Sequence, residues 1–472
     1  MKNFGVILSE YLEKLEITQS SAAQLIGCSR SMIYSVLNGE KKLTESKFQH
    51  MLSAIPFTDS QISALRYSYY ADKYPSGAID KIYKINHFMS GRHENDGSVS
   101  APPTPLPEES GAVMGEWDIL GTIAAVIRDE KATVVKTNFP FTNKNIDDTV
   151  FTSLSARETP LNFRHIVEFQ SSNDSDINIT NLFLSMRYIR CRYNPYYYYS
   201  DSFSDRKHYI FPYYVLSDRY AFFFNNNMHS GMFITEDSII KTVNGMTDAF
   251  LENCEPLAIY PSDVFELKST ITKVSSNKIS YAFGNSACII PFVPEMIEKI
   301  ADKDLPNRDI LIKIAVDHYN KLGQHSGYVL FPQSALERFA ENGRVYNFPL
   351  SWTCPLSYSD RQKVLEVIKT YADGDNPKIK ILYDSNLQIS DCCMCVDIFE
   401  RYMSISGSLE GESDHYGGEY SIFVKNTSII SDFRFYVDFI KRNRIHLPSE
   451  IAVSYMDSLI LECERNKKNE NQ

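Results

Sequence analysis

Four polar residues in the stretch RSMIYSVL (30–37) have the types and spacing to form hydrogen bonds from one face of a helix. A guanidinium presents five donors in a rigid fork, and hydroxyl groups can both donate and accept. Because residues three and four apart share a helix face, the stretch predicts a helix that projects these polar groups outward. The polar residues are Arg30, Ser31, Tyr34 and Ser35, and the apolar contacts would come from Met32, Ile33 and Val36.

The residues around this stretch predict how the helix is held. Thr18 can accept hydrogen bonds from the free amides that begin a preceding helix, SSAAQLI. Gly27 permits the left-handed backbone that ends a helix tightly, and Ser29 can cap the helix that follows. Asn38 and Gly39 then close the second helix. The sequence therefore predicts two helices at a steep angle, joined by a tight turn.

This pattern resembles the lambda-repressor/Cro-like helix-turn-helix family, often called XRE, which reads roughly T-Q-x-x-x-A-x-x-x-G-V-S-x-x-x-I-x-x-x-x-x-G. The resemblance covers only residues 3 to about 56. Cys28 replaces the usual Val, Ala22 stands where Leu is usual, and Leu37 stands where an acidic residue often precedes Asn-Gly. The matching residues are Thr18, Gln19, Ala23, Gly27, Ser29, Ile33 and Gly39.

The resemblance implies a role for each polar residue on double-stranded DNA. The second helix would lie in the major groove, with Arg30, Ser31, Tyr34 and Ser35 facing base edges. The backbone phosphates would be held by Gln19, Ser29, Asn38, Lys41 and Lys42. Two alternatives stay open: a helical bundle whose polar residues are only solvated, and a fold of this type that contacts protein, since Glu40 and Glu45 dilute the positive face.

The charge distribution favours the N-terminal segment as the part that meets a polyanion. The chain has a formal net charge of -11, and residues 1–75 hold 8 basic and 7 acidic residues, a charge of +1 that leaves -12 elsewhere. A nearly neutral module binds DNA weakly alone, so we expect a homodimer that reads two half-sites.

Patterns typical of catalysis are not found in the sequence. It has no P-loop, G-x-G-x-x-G, G-x-S-x-G or H-E-x-x-H motif, so we expect neither an enzyme nor a cofactor. Cys392 and Cys395 form one C-x-x-C pair, but zinc sites usually need two such pairs, which favours thiols in a buried strand. Nine cysteines in a chain with no export signal indicate reduced thiols and a cytoplasmic protein with no membrane segment.

Dense aromatic tracts at 193–201, 209–216 and 220–229 predict buried strands. The alternative is a ligand pocket, in which Arg206, His208 and His229 would hold an anionic effector.

The order of predicted elements indicates a multidomain chain with an all-α start and a large α/β or α+β body. We predict a helical domain over residues 1–90 with its helix-turn-helix at 18–38, and a Pro-rich linker over 91–111. Two lobes, 112–300 and 301–472, would follow. MFITEDSIIK (232–241) is similar to IFVKNTSIIS (422–431), which suggests that one lobe is a duplicate of the other.

The leading hypothesis is a DNA-binding transcriptional regulator whose body senses a small-molecule or protein effector or assembles the protein. Two rivals stay open: an enzyme or defence effector whose N-terminal module regulates its own gene or recruits a partner, and a scaffold that does not bind DNA.

Overall fold

In the computed structural model the chain divides into two compact units, Met1–Asn86 and His87–Gln472. The structure describes residues 3–75, 77–89, 101–140, 143–170, 176–188, 193–200, 210–259, 279–284, 293–325, 328–345, 352–375, 377–383, 393–408, 419–443 and 445–470.

The N-terminal unit is entirely helical over its described residues. Its core contains stacked Phe48 and Tyr69, whose ring centroids lie 3.8 Å apart, and Phe4 packs edge-on against both. Thr18, Ser29, Thr44 and Thr58 each accept a backbone amide at a helix start, which satisfies donors that have no partner within the helix. The helices are α1 (Phe4–Lys14), α2 (Gln19–Ile26), α3 (Arg30–Leu37), α4 (Glu45–Ala54), α5 (Asp59–Ala71) and α6 (Ala78–Met89).

The first lobe of the body is an eight-stranded mixed sheet with helices between its strands. The strand order is β1-β7-β6-β5-β2-β3-β4-β8. The elements are β1 (Gly111–Met114), α7 (Glu116–Arg128), β2 (Val134–Thr137), α8 (Lys144–Ser155), β3 (Asn162–Gln170), α9 (Asp176–Arg187), β4 (Asn194–Ser200), β5 (Tyr213–Ser217), β6 (Ala221–Phe224), β7 (Ser230–Ile234), α10 (Asp237–Leu251) and β8 (Glu255–Pro256).

The second lobe is a seven-stranded mixed sheet in the order β12-β11-β10-β13-β14-β15-β9. Its elements are β9 (Ala258–Ile259), β10 (Ile279–Gly284), α11 (Ile297–Ile300), α12 (Arg308–His325), β11 (Tyr328–Pro332), α13 (Gln333–Asn342), α14 (Tyr358–Ala372), β12 (Ile379–Leu382), β13 (Cys393–Phe399), β14 (Met403–Ser408), β15 (Glu419–Val424), α15 (Thr427–Arg442) and α16 (Ser449–Glu470). An all-α start followed by an α/β body confirms the predicted fold class.

The two sheets share one topology. In each, three parallel strands (β2, β3, β4 or β10, β11, β12) lie beside an antiparallel meander (β5, β6, β7 or β13, β14, β15). A helix follows each meander, α10 in one lobe and α15 in the other. The edge strands correspond as well, because β1 pairs with β7 and β9 pairs with β15, both antiparallel. The lobes are therefore two copies of one arrangement.

The register of the strands identifies equivalent residues. The turn between β5 and β6 closes with the amide of Ser217 donating to the carbonyl of Tyr220 at 2.8 Å. The turn between β13 and β14 closes in the same way, with Phe399 donating to Tyr402 at 2.9 Å. The sequences of these turns, SDRY and FERY, share an acidic residue, Arg and Tyr. Because Ala221 pairs with Ile234 and Met403 pairs with Val424, residues 232–241 match 422–431, as the sequence suggested.

A very short passage connects the lobes. Pro256 is the last residue of the first sheet, and Ala258 is the first residue of the second. β9 and β10, which precede the lobe division predicted at 300, belong to the second sheet, since the sequence does not show which sheet a strand joins. Upstream, the amide of Thr104 donates to the carbonyl of Gly121 at 3.2 Å, so part of the Pro-rich segment lies against the body.

The aromatic and cysteine-rich tracts contribute residues to strands. β4, β5 and β6 contain residues of the three aromatic tracts, and β13 begins at Cys393. Cys28, Cys254, Cys354 and Cys463 are free thiols, as expected. The expectation of reduced thiols is wrong for Cys395, which is disulfide-bonded, since spacing in the sequence does not show which thiols folding brings together. No helix among the described residues combines the length and the apolar character needed to cross a membrane.

Candidate nucleic-acid interface

The turn between α2 and α3 has the caps that its sequence predicts. Thr18 Oγ1 accepts the amide of Ser21 at 3.2 Å, and Ser29 Oγ accepts the amide of Met32 at 3.2 Å. Gly27 has a φ of 69°, the left-handed backbone that an L-residue with a side chain rarely adopts. The amide of Cys28 donates back to the carbonyl of Ala23 at 2.9 Å. These bonds fix the point at which α2 stops and α3 starts.

Helix α3 has one buried face and one solvent face. Ile33 and Val36 are fully buried, and they attach the helix to the rest of the unit. Arg30 and Ser31 are exposed at its first turn, and Tyr34 keeps 55% of its surface in contact with solvent. The four residues expected to contact bases therefore lie on the side of α3 that a duplex could approach, although Ser35 is only half exposed.

A glycine that the sequence analysis did not single out sets the distance between α1 and α3. A Cβ on Gly5 would lie 2.6 Å from the carbonyl oxygen of Leu37 and closer still to that of Val36. These distances are shorter than carbon–oxygen contacts allow, so only glycine lets α1 pack on the last turn of α3. A lone glycine inside a helical pattern was the available signal, because it usually has a packing reason.

The small residue at position 22 lies inside the unit. Ala22 has no exposed surface, and its neighbour Ala23 is also buried. Alanine at position 22 is therefore part of the buried core of the unit.

The residues expected to hold phosphates differ in their exposure to solvent and in the hydrogen bonds that they already make. Asn38 and Lys41 are exposed, and Gln19 is half-buried. Lys42 is exposed, but its ammonium already donates to the backbone carbonyl of Asp72, the residue that caps the end of α5. An ammonium has three donors, so Lys42 can hold this helix end and still donate to a second acceptor. Ser29 is exposed, and its hydroxyl is engaged in the cap and in a 3.0 Å contact with the hydroxyl of Ser31.

An acidic side chain lies at the end of α3 and reduces the positive potential of this face. Ser35 Oγ donates to Glu40 Oε2 at 3.1 Å, which orients the carboxylate toward the helix. Nearby, Cys28 is half-buried, and burial raises the pKa of its thiol while Lys47 lowers it less. The thiol is therefore protonated at neutral pH, and the exposed cations in and after α3 include Arg30, Lys41 and Lys42.

The other candidate residues do not assemble into a site within the described part of the chain. Arg206 and His208 lie outside the described residues. His229 is exposed in the loop before β7, where its carbonyl accepts the amide of Gly115 at 3.0 Å. Cys392 also lies outside the described residues, and no cluster of three or more His, Cys, Asp or Glu side chains suited to a metal occurs among those described.

Comparison with known proteins gives little beyond this geometry. No family model matches the chain, and no curated protein matches it. A solved structure of TrmBL2, described as an archaeal chromatin protein with a novel mode of DNA binding, aligns with 54% of this chain and 94% of its own at 10% identity and a TM-score of 0.23. Polyphosphate kinase from Porphyromonas gingivalis aligns with 78% of this chain and 57% of its own, also at 10% identity and a TM-score of 0.23. Likenesses this distant carry no argument, so the N-terminal pattern stays a resemblance.

Proposed function

We propose that the chain is a sequence-specific DNA-binding transcriptional regulator. Its N-terminal unit reads an operator, and its two-lobed body senses an effector or assembles the protein without catalysing a reaction. The observation that carries the proposal is the division of α3, which buries Ile33 and Val36 while Arg30, Ser31 and Tyr34 face solvent behind a tight turn. A short helix held in this way can enter a major groove with its first turn foremost.

Each exposed side chain has a chemical role in this proposal. Arg30 donates to O6 and N7 of a guanine, and Ser31, Tyr34 and Ser35 contact neighbouring base edges. Gln19, Ser29, Asn38, Lys41 and Lys42 hold phosphates, which position the helix without reading sequence.

The weak charge of the unit supports a dimer as the form that binds. Residues 1–75 have a formal charge of +1, and Glu40 lies at the end of α3. Two copies related by a two-fold axis would place their helices in successive major grooves, about 34–36 Å apart. The operator is therefore expected to be a palindrome with half-sites one helical turn apart.

The decisive experiment compares Arg30→Ala with the wild-type chain on a genomic fragment selected by binding and on a random duplex of equal length. Loss of a bidentate guanine contact costs about 1–3 kcal/mol, so operator affinity should fall roughly 5- to 150-fold. Lys14→Ala, which removes an exposed cation at the end of α1, serves as the matched control and should leave the ratio of the two affinities unchanged. Equal losses on both duplexes would show that Arg30 contacts only the backbone, and no loss would remove it from the site.

Lys41→Ala tests whether this side chain contacts the phosphate backbone, which positions the helix, or contacts bases, which determines sequence preference. Because a phosphate contact releases a counterion, we expect affinity to fall equally on operator and random DNA, and the slope of log affinity against log salt to shrink by about 0.9 per protomer. A change in the preferred base sequence would contradict the phosphate role of Lys41.

The proposal also constrains how an effector acts. A ligand of the body shifts DNA binding only if its affinity differs between the DNA-competent arrangement and the other one. A chain that binds no fragment at low salt would instead favour a protein-binding scaffold, and binding without sequence preference would leave only nonspecific affinity for DNA.

A further inference from the structure

Helices α10 and α15 occupy equivalent places in the two lobes, and α10 carries a carboxylate that neutralises cations of its sheet. The register of β7 and β15, extended into the two helices, matches Asp248 of α10 with Asp438 of α15. Lys136 Nζ of β2 lies 2.7 Å from Asp248 Oδ1, and Arg164 of β3 reaches the same oxygen at 3.6 Å. In the first lobe, two cations between helix and sheet therefore share one carboxylate.

The second lobe also has two cations between helix and sheet, but its equivalent carboxylate is used elsewhere. Asp438 Oδ1 accepts the hydroxyl of Tyr281 at 3.0 Å. Lys441, three residues further along α15, has its Nζ 3.7 Å from the centre of the Tyr328 ring. Lys380 of β12 has its Nζ 5.7 Å from the centre of the same ring. Two like charges are therefore held at one aromatic side chain.

Strand register explains why these groups meet. Tyr281 pairs with Tyr328, and Leu330 pairs with Lys380. Because alternate residues of a strand point to the same face, Tyr328 and Lys380 lie on the same face of the sheet as Tyr281. Tyr281 contacts Asp438 of α15, so this is the face that α15 covers.

Lys380 and Lys441, called here the lysine pair, lack an anionic partner in the described part of the chain. Lys380 is 8% exposed, and Lys441 is half-buried. Neither forms an ion pair with a carboxylate or donates a hydrogen bond to a described residue. Burial is the main cause that lowers the pKa of Lys380; Tyr328 opposes it, and the charge of Lys441 lowers the pKa further. A covered lysine is rarely left without an anionic partner, because its desolvation is costly.

We propose that the lysine pair binds a doubly negative oxyanion, the phosphate or dicarboxylate group of a small-molecule effector. Two ammonium groups match this charge, and each has three donors for its oxygens. Lys441 is only half-buried, so an anion can reach the pair from solvent. This inference rests on the effector sensing of the proposed function, and it names the site and the chemistry of the effector.

An anion at the lysine pair connects α15 with β12 and thereby acts on the contact between the lobes. Phe433 of α15 packs on Phe183 of α9 in the first lobe, with ring centroids 6.4 Å apart. Holding α15 more firmly on its own sheet therefore favours one arrangement of the two lobes, which is the differential affinity that an effector needs.

The test is equilibrium dialysis of the full chain, without DNA, against radiolabelled inorganic phosphate at constant ionic strength. The wild type should bind one phosphate per chain in a saturable manner. Lys380→Met and Lys441→Met keep an apolar stem and remove the charge, so each should raise the dissociation constant at least tenfold. Lys378→Met is the matched control, because Lys378 is exposed and its Nζ lies 5.8 Å from the ring centre of another tyrosine, Tyr371. It should change the constant less than about twofold.

Radiolabelled malonate in the same assay distinguishes the two chemistries. Tighter binding of malonate than of phosphate assigns the effector a dicarboxylate, and the reverse order assigns it a phosphate group. No saturable binding of either anion, or binding that the two lysine variants leave unchanged, would overturn the inference.

Urea denaturation shows that the variants are folded. Removing one of two like charges should leave the midpoint of Lys441→Met equal to that of the wild type or higher. Added phosphate should raise the wild-type midpoint more than that of the chain carrying both substitutions. A chain that binds the anion but no operator refutes only the regulator, whereas a regulator that binds neither anion refutes only this site.

Discussion

At the scale of single residues, several buried polar groups have a role that the fold alone explains. Arg157 is buried and donates to the carbonyls of Ile127 and Asp129, at 2.7 and 2.8 Å, where α7 ends. Arg361 does the same for α13, donating to the carbonyls of Ala340 and Glu341. Carbonyls at a helix end have no partner within the helix and carry the negative end of its dipole. A guanidinium there supplies the missing hydrogen-bond donors and a positive charge that the dipole favours.

His165 is held in its neutral form. Its Nε2 lies 2.8 Å from the carbonyl of Phe139, which can only accept, so Nε2 carries the proton. Nδ1 then accepts from the hydroxyl of Tyr193 at 2.8 Å. Burial lowers the pKa of His165 to about 3, and the bond to Phe139 opposes part of that shift.

This environment predicts an acid sensitivity of the first lobe. Between about pH 6.5 and 3 the unfolded chain protonates this imidazole and the folded chain does not, so stability from this group falls as the pH falls through 6.5. The free energy of unfolding should drop by about 1.4 kcal/mol between pH 7.5 and 5.5 from His165 alone. In His165→Gln this part of the slope should vanish, as measured by urea denaturation at both pH values. Parallel slopes for the two proteins would contradict a neutral, buried histidine.

At the scale of elements, the packing of α1 on α3 puts two physical effects in opposition at Gly5. Replacing a helical glycine by alanine gains about 1 kcal/mol of intrinsic propensity. A Cβ at this position, however, would meet two backbone carbonyls, and overpacking of this kind costs about 1–3 kcal/mol. Because backbone atoms cannot rotate away as a side chain can, the clash should dominate.

We therefore expect Gly5→Ala to loosen α1 and α3 in the full chain. Their amides should exchange with deuterium faster than in the wild type, and operator affinity should fall in parallel. Ser9→Ala, at an exposed position of the same helix, changes propensity without a clash and should leave exchange equal or slower. Slower exchange in Gly5→Ala would mean that α1 does not approach α3 closely.

The sequence predicted elements better than it predicted their arrangement. β4 and β6 lie within the aromatic tracts 193–201 and 220–229 because aromatic residues suit a strand, and the caps of α2 and α3 follow from Thr18, Gly27 and Ser29. Thr58 caps α5, and its hydroxyl and Gln61 form a reciprocal pair. Strand order and the buried contacts of Arg157 and Arg361 could not be predicted, because they join residues that are distant along the chain.

For the candidate interface, local pattern was sufficient for some features and not for others. Period and caps placed Arg30 and Tyr34 on the outer face of α3. The bond from Lys42 to Asp72 and the approach at Gly5 depend on how α1 and α5 pack against the turn, which a pattern of single residues does not encode.

At the scale of the whole molecule, α10 and α15 occupy equivalent positions in the two lobes but should contribute unequally to the free energy of unfolding. Phe433 of α15 packs between aromatic rings from both lobes, whereas its equivalent Val243 in α10 is half-buried against one sheet. Phe433→Ala should lower the free energy of unfolding by about 3–5 kcal/mol, and Val243→Ala by about 1 kcal/mol. Denaturant midpoints of the full chain measure both. Equal losses would show that α15 has no larger role than α10.

Leu257, the residue between β8 and β9, connects the hydrogen-bond networks of both sheets. Its amide donates to Pro195 of the first sheet at 2.8 Å, and its carbonyl accepts from Phe423 of the second at 3.1 Å. It is also fully buried, so neither bond can open to water without displacing the lobes. Strain in one lobe is thereby transmitted to the other through this residue, as it is through the contact of Phe433 with Phe183, and the body should melt in one cooperative transition.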